Sequence, residues 1–388
     1  MDFVLTEEQR MFQKLFRDFA TKEVAKVAEQ TDKKEEFPVR LIKRAAGQGF
    51  LGAFAPEEPY GGANFDFTTY TLLIEAMAAE CASTALTLHV HNVLALRTLV
   101  RHGTDVAKEG LVAEMVSGDR IGAFALTESG AGSDPTRLRT VACKEGDDWV
   151  ITGSKTWVSN AGVAGVYIIF AATDPAAGPK GISAFVVPAE TDGVVLGGRE
   201  KTLGLRGAQI HRLYLKGVRV SQDYLLGQEG SGYKIALETL DYGRVGISAA
   251  AVGGARKSIE IAIAFAAQRS QFGTSIANKQ AIQMYLADAA TQVAAAQWLV
   301  RHAAWLADQG QPFTQEAAMA KLYCGRMAGE VTNKMLQVHG GAGFIADYPM
   351  ERYYRDARAM ELVEGTSQMQ QIIIAGSLLG PAGIKVRP

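Results

Sequence analysis

From Thr6 onward the chain carries a helical rhythm: Phe12, Leu15, Phe16 and Phe19 recur at i, i+3, i+4 and i+7, and Thr6 with Gln9 has capping-box spacing. Such spacing gathers apolar side chains on one helix face, which must then find a partner surface. A second helix is expected to start at Pro38 and to stop near the glycines Gly47 and Gly49. Helical patterns follow over residues 68–80, 84–102 and 104–117. Residues 1–120 are therefore expected to form an N-terminal all-α domain.

The rhythm changes between 121 and 230. Short β-branched and aromatic runs appear, such as Trp149-Val150-Ile151, Val166 to Phe170 and Ala184 to Val187, separated by Gly, Pro and Asp clusters. This predicts a small β-barrel or sandwich domain. Helical periodicity returns over 232–269, 276–308 and 314–338, with few breakers between, so residues 231–388 are expected to form a C-terminal four-helix bundle. The fold class is multidomain α+β. Gly341-Ala342-Gly343-Phe344-Ile345-Ala346 matches GxGxxA, yet a helical pattern precedes it where a dinucleotide-binding unit needs a strand.

A length of 388 residues agrees with two or three packed units. Apolar residues at 48% and charged residues at 21% predict a folded chain rather than a disordered one. A net charge of -1 provides no field for nucleic acid or for an anionic membrane, so an anionic ligand needs a local cluster. The longest apolar stretch, near Ala161 to Ala172, falls short of a membrane span. The acidic opening Met1 to Glu8 does not resemble a leader peptide, and a prokaryotic cytoplasmic location is expected. Cys81, Cys143 and Cys324 have no CxxC spacing and are expected to be core thiols. No metal site is expected either: His89 and His91 are two apart on a predicted helix and face different sides, and no HExxH or GxSxG is present.

Several segments could carry chemistry. Phe124 to Asp134 enters as a strand and ends in a Gly-rich loop bearing hydroxyls, Thr127, Ser129 and Ser133, which suits close approach to a ligand or an ordinary turn. Trp157-Val158-Ser159 sets an indole beside a hydroxyl; it can cover a flat cofactor or be a buried structural Trp. Arg269 to Gly273 breaks two long helices with a cation, an amide and an aromatic, fit to clamp a pyrophosphate or to cap a turn. Gln337 to Gly341 ends a helix with close-approach glycines. Thr366 or Ser367 can cap the last helix, which leaves Glu364 on the approach loop, either pointing into a cleft or solvated on the surface.

Taken together and in this order, the Leu126-Thr127-Glu128 to Ser133-Asp134 loop, the Gln268 to Gly273 corner and the Tyr354-Arg355-Asp356 to Glu364-Gly365-Thr366 segment resemble the acyl-CoA dehydrogenase family along essentially the whole chain. The resemblance implies a homotetramer built as a dimer of dimers, with FAD as cofactor. It implies that Phe124, Leu126, Thr127, Gly132, Ser133, Trp157, Val158 and Ser159 line the flavin and its ribityl chain. Arg269, Phe272, Gln280, Gln337, Val338, Gly340 and Gly341 would reach the FAD pyrophosphate and adenosine across a subunit interface, with Thr366 and Gln368 as further FAD contacts. Ser133, Asp241, Tyr242, Gly243, Arg244 and Gly365 would lie along the acyl-CoA substrate, and Glu364 matches the catalytic base.

The implied reaction removes the α proton of an acyl-CoA thioester to Glu364 and the β hydrogen as hydride to flavin N5, giving a trans-2-enoyl-CoA. An α C–H is a very weak acid, so the carboxylate is expected to be dry, unpaired and raised in pKa. The base's own backbone N–H and a ribityl hydroxyl would stabilise the charge growing on the thioester oxygen. An electron-transferring flavoprotein is the implied acceptor. Some branches of the family place the base near Arg244 instead; here that position is Gly243, which favours Glu364. Ser159 stands where Thr is more usual, and Arg206-Gly207-Ala208-Gln209 lacks the usual hydroxyls. The helix from Cys81 to Arg97, which sets the pocket floor in this family, resembles short-chain and branched-chain members. Rival readings on the same fold are an acyl-CoA oxidase, a flavin monooxygenase, disfavoured by Glu364, and a non-catalytic scaffold.

Overall fold

The computed structural model describes residues 4–384 and Val386; Met1 to Phe3 of the acidic opening lie outside the described residues. The helix Glu7–Phe19 begins at the expected capping box, with the Gln9 N–H donating to Thr6 Oγ1 and the Thr6 N–H to Gln9 Oε1, both at 3.1 Å. Its apolar stripe meets a ring cluster: Phe12 packs on Phe16 and Phe65, and Phe16 and Phe19 on Phe50. A π-helical turn, Ala20–Val24, carries the run into Ala25–Lys33. Helix Phe67–Glu80 is buried on nearly every side.

The next run, Ala82–His89, π-helical Val90–Leu96 and Arg97–His102, is also almost wholly buried and forms a spine under the rest. His91 pins this spine in place. It accepts the Gly122 N–H at Nδ1 (3.0 Å) and donates from Nε2 to the Leu51 carbonyl (3.0 Å). Burial pulls its pKa down to about 4, so the ring stays neutral and the role is structural.

Eight strands form one mixed sheet: β1 Ile121–Ala125, β2 Val141–Glu145, β3 Asp148–Val158, β4 Ala164–Ala172, β5 Ile182–Pro188, β6 Val194–Arg199, β7 His211–Ser221 and β8 Leu225–Leu226. The order is β6-β7-β3-β2-β4-β5-β8, with β1 parallel to β4. Along β4, Tyr167, Ile169 and Ala171 share a core with Trp149 of β3 and Leu213 of β7, so the sheet curls around its own interior. Val166, Ile168 and Phe170 face the other way, onto Leu96, Leu111 and Ile235 of the helices. Cys81 and Cys324 are buried as expected; Cys143 is exposed, because its place on β2 points it to the solvent face.

Helix Gly232–Gln268 runs through the bundle for about 55 Å. Packed with it are Gln280–Asp308, Thr314–His339 and the final Ser367–Leu379, which Thr366 caps through its side chain. A short hairpin, β9 Ser270–Gln271 with β10 Thr274–Ser275, turns the first of these into the second. Gly253 lets the helix Phe67–Glu80 press close; a Cβ there would lie 2.1 Å from the Glu75 carbonyl oxygen. Among the described residues, no helix is long and apolar enough to cross a membrane, and no cluster of three His, Cys, Asp or Glu is placed to hold a metal.

Candidate active site

The turn before the last helix holds two successive residues at positive φ, Glu364 at 56° and Gly365 at 98°. Two donors fix it through three hydrogen bonds. Lys321 Nζ donates to the Gly365 carbonyl at 2.5 Å, and Gln370 Nε2 donates to the same carbonyl at 2.9 Å and to that of Glu364 at 3.4 Å. Lys321 itself is only 1% exposed, and burial lowers its pKa to about 8 despite the nearby Glu364. This clamp turns Glu364 inward, leaving its side chain 6% exposed. Its Oε1 lies 2.9 Å from His89 Nε2, while Oε2 is buried with no partner among the described residues.

The expectation for this carboxylate therefore needs a correction. It is dry, but one oxygen is paired. The alternative of a solvated surface carboxylate is excluded by the same burial. Room for it comes from the long helix, where a Cβ on Gly243 would sit 2.3 Å from Oε2 and a Cβ on Gly246 would sit 2.2 Å from His89 Cε1. Two glycines one helical turn apart thus form adjoining notches for the carboxylate and the imidazole.

A second group forms around the Gly-rich loop. Glu128 accepts from the Arg139 N–H (2.6 Å), the Thr140 N–H (3.0 Å), Thr140 Oγ1 (2.6 Å) and Lys155 Nζ (2.7 Å). Burial pushes the Glu128 carboxyl up, but the charge and hydrogen bonds of Lys155, with Thr140 and the Arg139 N–H, outweigh it and the net direction is down. The Thr156 N–H donates to the Thr127 carbonyl at 2.9 Å. These links lay the loop carrying Leu126, Thr127, Gly132 and Ser133, with Phe124 just before it on β1, beside the end of β3 with Trp157, Val158 and Ser159. Trp157 is no buried structural Trp: it is 60% exposed and held at a φ of 55°. Val158 is buried, so only its backbone can face a ligand. Asn160 ties this group to the spine through the Thr87 and Gly122 carbonyls, both at 3.0 Å.

Asp241, Tyr242 and Arg244 flank Gly243. Arg244 pairs with Asp241 at 2.5 Å, and Arg97 lies over the Tyr242 ring at 3.4 Å. Thr366 and Gln368 follow Glu364 at the start of the last helix. The third group is elsewhere. Arg269 is 26 positions beyond Gly243 on one helix, about 39 Å away. Phe272, 95% exposed, and Gln280 stand at that same end, and the Phe265–His339 ring stack at 4.3 Å brings Gln337, Val338, Gly340 and Gly341 there too. One chain therefore does not unite all the expected residues.

The departure at Arg206 to Gln209 is a packed junction. Its Gly207 N–H donates to Ser83 Oγ at 3.2 Å and its Ala208 carbonyl accepts the Asn160 N–H at 3.0 Å, so a hydroxyl reaches it from the spine helix. The contacts of His89 and Lys321 with the Glu364 turn were not foreseen. His89 is 275 positions from Glu364, and the helix carrying it is buried all round, leaving no amphipathic stripe to show which side matters.

The sequence matches three family domains in order: acyl-CoA dehydrogenase N-terminal domain over 6–119, middle domain over 123–218 and C-terminal domain over 230–379. It is 42% identical over 375 residues to the mitochondrial short-chain specific acyl-CoA dehydrogenase of Bos taurus, covering 97% of this chain and 91% of that protein. The chain belongs to the acyl-CoA dehydrogenase family. Its fold superposes on butyryl-CoA dehydrogenase from Megasphaera elsdenii with a TM-score of 0.95 at 37% identity, covering 98% of this chain and 100% of that one. A chain in a solved structure of the electron transferring flavoprotein of Acidaminococcus fermentans matches with a TM-score of 0.95 at 38% identity, over 98% of this chain and 100% of that one. The helical, β and helical units thus follow the acyl-CoA dehydrogenase order.

Proposed function

We propose that this chain catalyses the FAD-dependent α,β-dehydrogenation of a short-chain acyl-CoA thioester, with Glu364 taking the α proton. The observation that carries this is a carboxylate 6% exposed, with one oxygen held by His89 and the other buried beside Gly243 without a partner among the described residues. A desolvated oxygen lacking donors is a stronger acceptor for a weakly acidic C–H than a hydrated one. Among the described residues the Glu364 N–H donates to no protein acceptor, which leaves it available to the thioester oxygen as negative charge gathers there. The clamp from Lys321 and Gln370 holds that N–H and the carboxylate in one geometry before substrate arrives.

The chain's surfaces fit FAD. Trp157 is exposed beside a loop in which, among the described residues, a Cβ on Gly130 or Gly132 would meet nothing within 4 Å and the nearby Thr156 hydroxyl is buried without a partner. Phe124, Leu126, Thr127, Gly132, Ser133, Trp157, Val158 and Ser159 would hold the ring and ribityl part, with Thr366 and Gln368 beside them. When bound, FAD supplies the acceptor for the β hydrogen and its electron pair. The distance from Gly243 to Arg269 supports a shared site, in which Arg269, Phe272, Gln280 and the Gln337–Gly341 segment serve a neighbouring subunit of a homotetramer. Asp241, Tyr242, Arg244, Ser133 and Gly365 would line the CoA arm. An electron-transferring flavoprotein takes the electrons onward. The three free thiols support a reducing, cytoplasmic setting.

Anaerobic titration of the purified flavoprotein with straight-chain acyl-CoAs of increasing length tests the reading. Bleaching should be fastest with the shortest chains. Preference for long chains would reject the substrate, and rapid peroxide formation on admitting air would replace the dehydrogenase with an oxidase.

A further inference from the structure

We infer that His89 is the positioning residue of the base: it fastens Oε1 of Glu364 so that Oε2 alone is presented to the substrate. The inference deepens the proposed function and rests on Glu364 being the base. His89 is 0% exposed and both of its ring nitrogens are engaged, Nδ1 with Tyr70 Oη at 3.2 Å and Nε2 with Glu364 Oε1 at 2.9 Å. Tyr70 is also 0% exposed. A phenol has one proton to donate. Given to Nδ1, it leaves the proton of a neutral imidazole on Nε2, where it points at the carboxylate. A hydrogen-bond chain results in which Tyr70 donates to His89 and His89 donates to Glu364, the final acceptor.

The chain stops at a buried phenol, so it offers no route for the abstracted proton to reach solvent. It can hold the carboxylate but not drain it. The notch at Gly246 serves the same end, since any side chain there would strike the imidazole ring. Two equivalent oxygens would let the carboxylate rotate between poses. One fastened oxygen fixes which lone pairs face the substrate and lowers the reorganisation needed when the C–H bond breaks. Of the ionisable groups packed around this corner, Tyr70 and Glu364 touch His89, while Lys321, Arg244 and Glu361 lie about the Glu364 turn on the other side.

The experiment uses FAD-loaded enzyme and three variants, His89→Leu, His89→Gln and Glu364→Gln, read by anaerobic flavin bleaching with butyryl-CoA, with kcat and KM measured separately. His89→Leu should slow bleaching by roughly 10- to 100-fold with little change in KM, the loss of one hydrogen bond to a charged group. His89→Gln, whose amide N–H reaches to about the same place, should recover most of the rate. If His89→Leu does not retain flavin, Gly246→Ala replaces it, pushing the ring while favouring the helix, and the same loss of kcat is expected. An unmoved rate in His89→Leu or Gly246→Ala, or a Gln variant as impaired as Leu, overturns the assignment of His89. Near-normal bleaching by Glu364→Gln instead overturns the base itself, so the two failures are told apart.

Discussion

Two buried glutamates, one in the Gly-rich loop and one in the turn before the last helix, are built for opposite ends. Glu128 is saturated: two backbone N–H groups, a hydroxyl and an ammonium occupy its oxygens. Among the described residues, Glu364 has one partner and one bare oxygen. Each sits in a Gly-containing polar segment, and burial is similar, 8% against 6% of side-chain surface. What separates the structural carboxylate from the proposed base is the number of donors around each. A saturated carboxylate organises the loop around it and has no lone pair free for a substrate; a starved one, with a single partner, keeps acceptor capacity, as the proposed role of Glu364 requires.

The sharpest way to break this contrast is at the starved end. Glu364→Gln should retain flavin and fold yet slow anaerobic bleaching by roughly 10²- to 10⁴-fold or more. At the saturated end, Lys155→Met removes one partner of a buried ion pair and should cost about 3 to 5 kcal/mol of stability, read as a lower denaturation midpoint. Its bleaching rate per bound flavin should stay close to the parent's; a loss of rate as large as that of Glu364→Gln would mean the two carboxylates are not functionally distinct.

Smaller tests sharpen the same point. Gly243→Ala puts a methyl where Glu364 Oε2 sits, with Leu94 Cδ2 at 3.1 Å on the other side, and overpacking of about 1 to 3 kcal/mol should appear as roughly 10- to 100-fold slower bleaching. Stability should fall by less than that overpacking cost, since alanine in a helix interior returns about 1 kcal/mol. The smallest effect is in acid. The carboxyl of Glu128 is held below its ordinary 4.5, so its contribution is present above pH 4.5 and is lost as pH falls through the lower folded value. Glu128→Gln should therefore lose stability less steeply than the parent below pH 4.5 in denaturation series, and parallel curves would remove Glu128 from the acid response.

Much of the fold was legible because its signals are local. The capping box at Thr6, the cap at Thr366 and the breaks between long Ala-rich helices depend on neighbours three or four positions away. The GxGxxA near the end of the chain was rightly discounted, since the helix Thr314–His339 precedes it. Glu364, the proposed base, was named through its family motif, while its surroundings were not legible. His89 meets Glu364 only because the spine helix, the long helix and the final turn converge, and no spacing within one segment encodes a contact over 275 positions. Cys143 failed for a related reason: a single apolar-leaning residue on a strand can face either way, and pairing of β2 with β3 decides it.

The reach of the long helix bears on inheritance as well as chemistry. With the turn of Glu364 near one part of it and Arg269 about 39 Å on, a polypeptide ruined at either place remains whole at the other. On the proposed shared site, co-expressing a Glu364→Gln chain with an Arg269→Ala chain should yield mixed assemblies in which one centre regains both intact halves, so two inactive alleles restore part of the activity that neither shows alone.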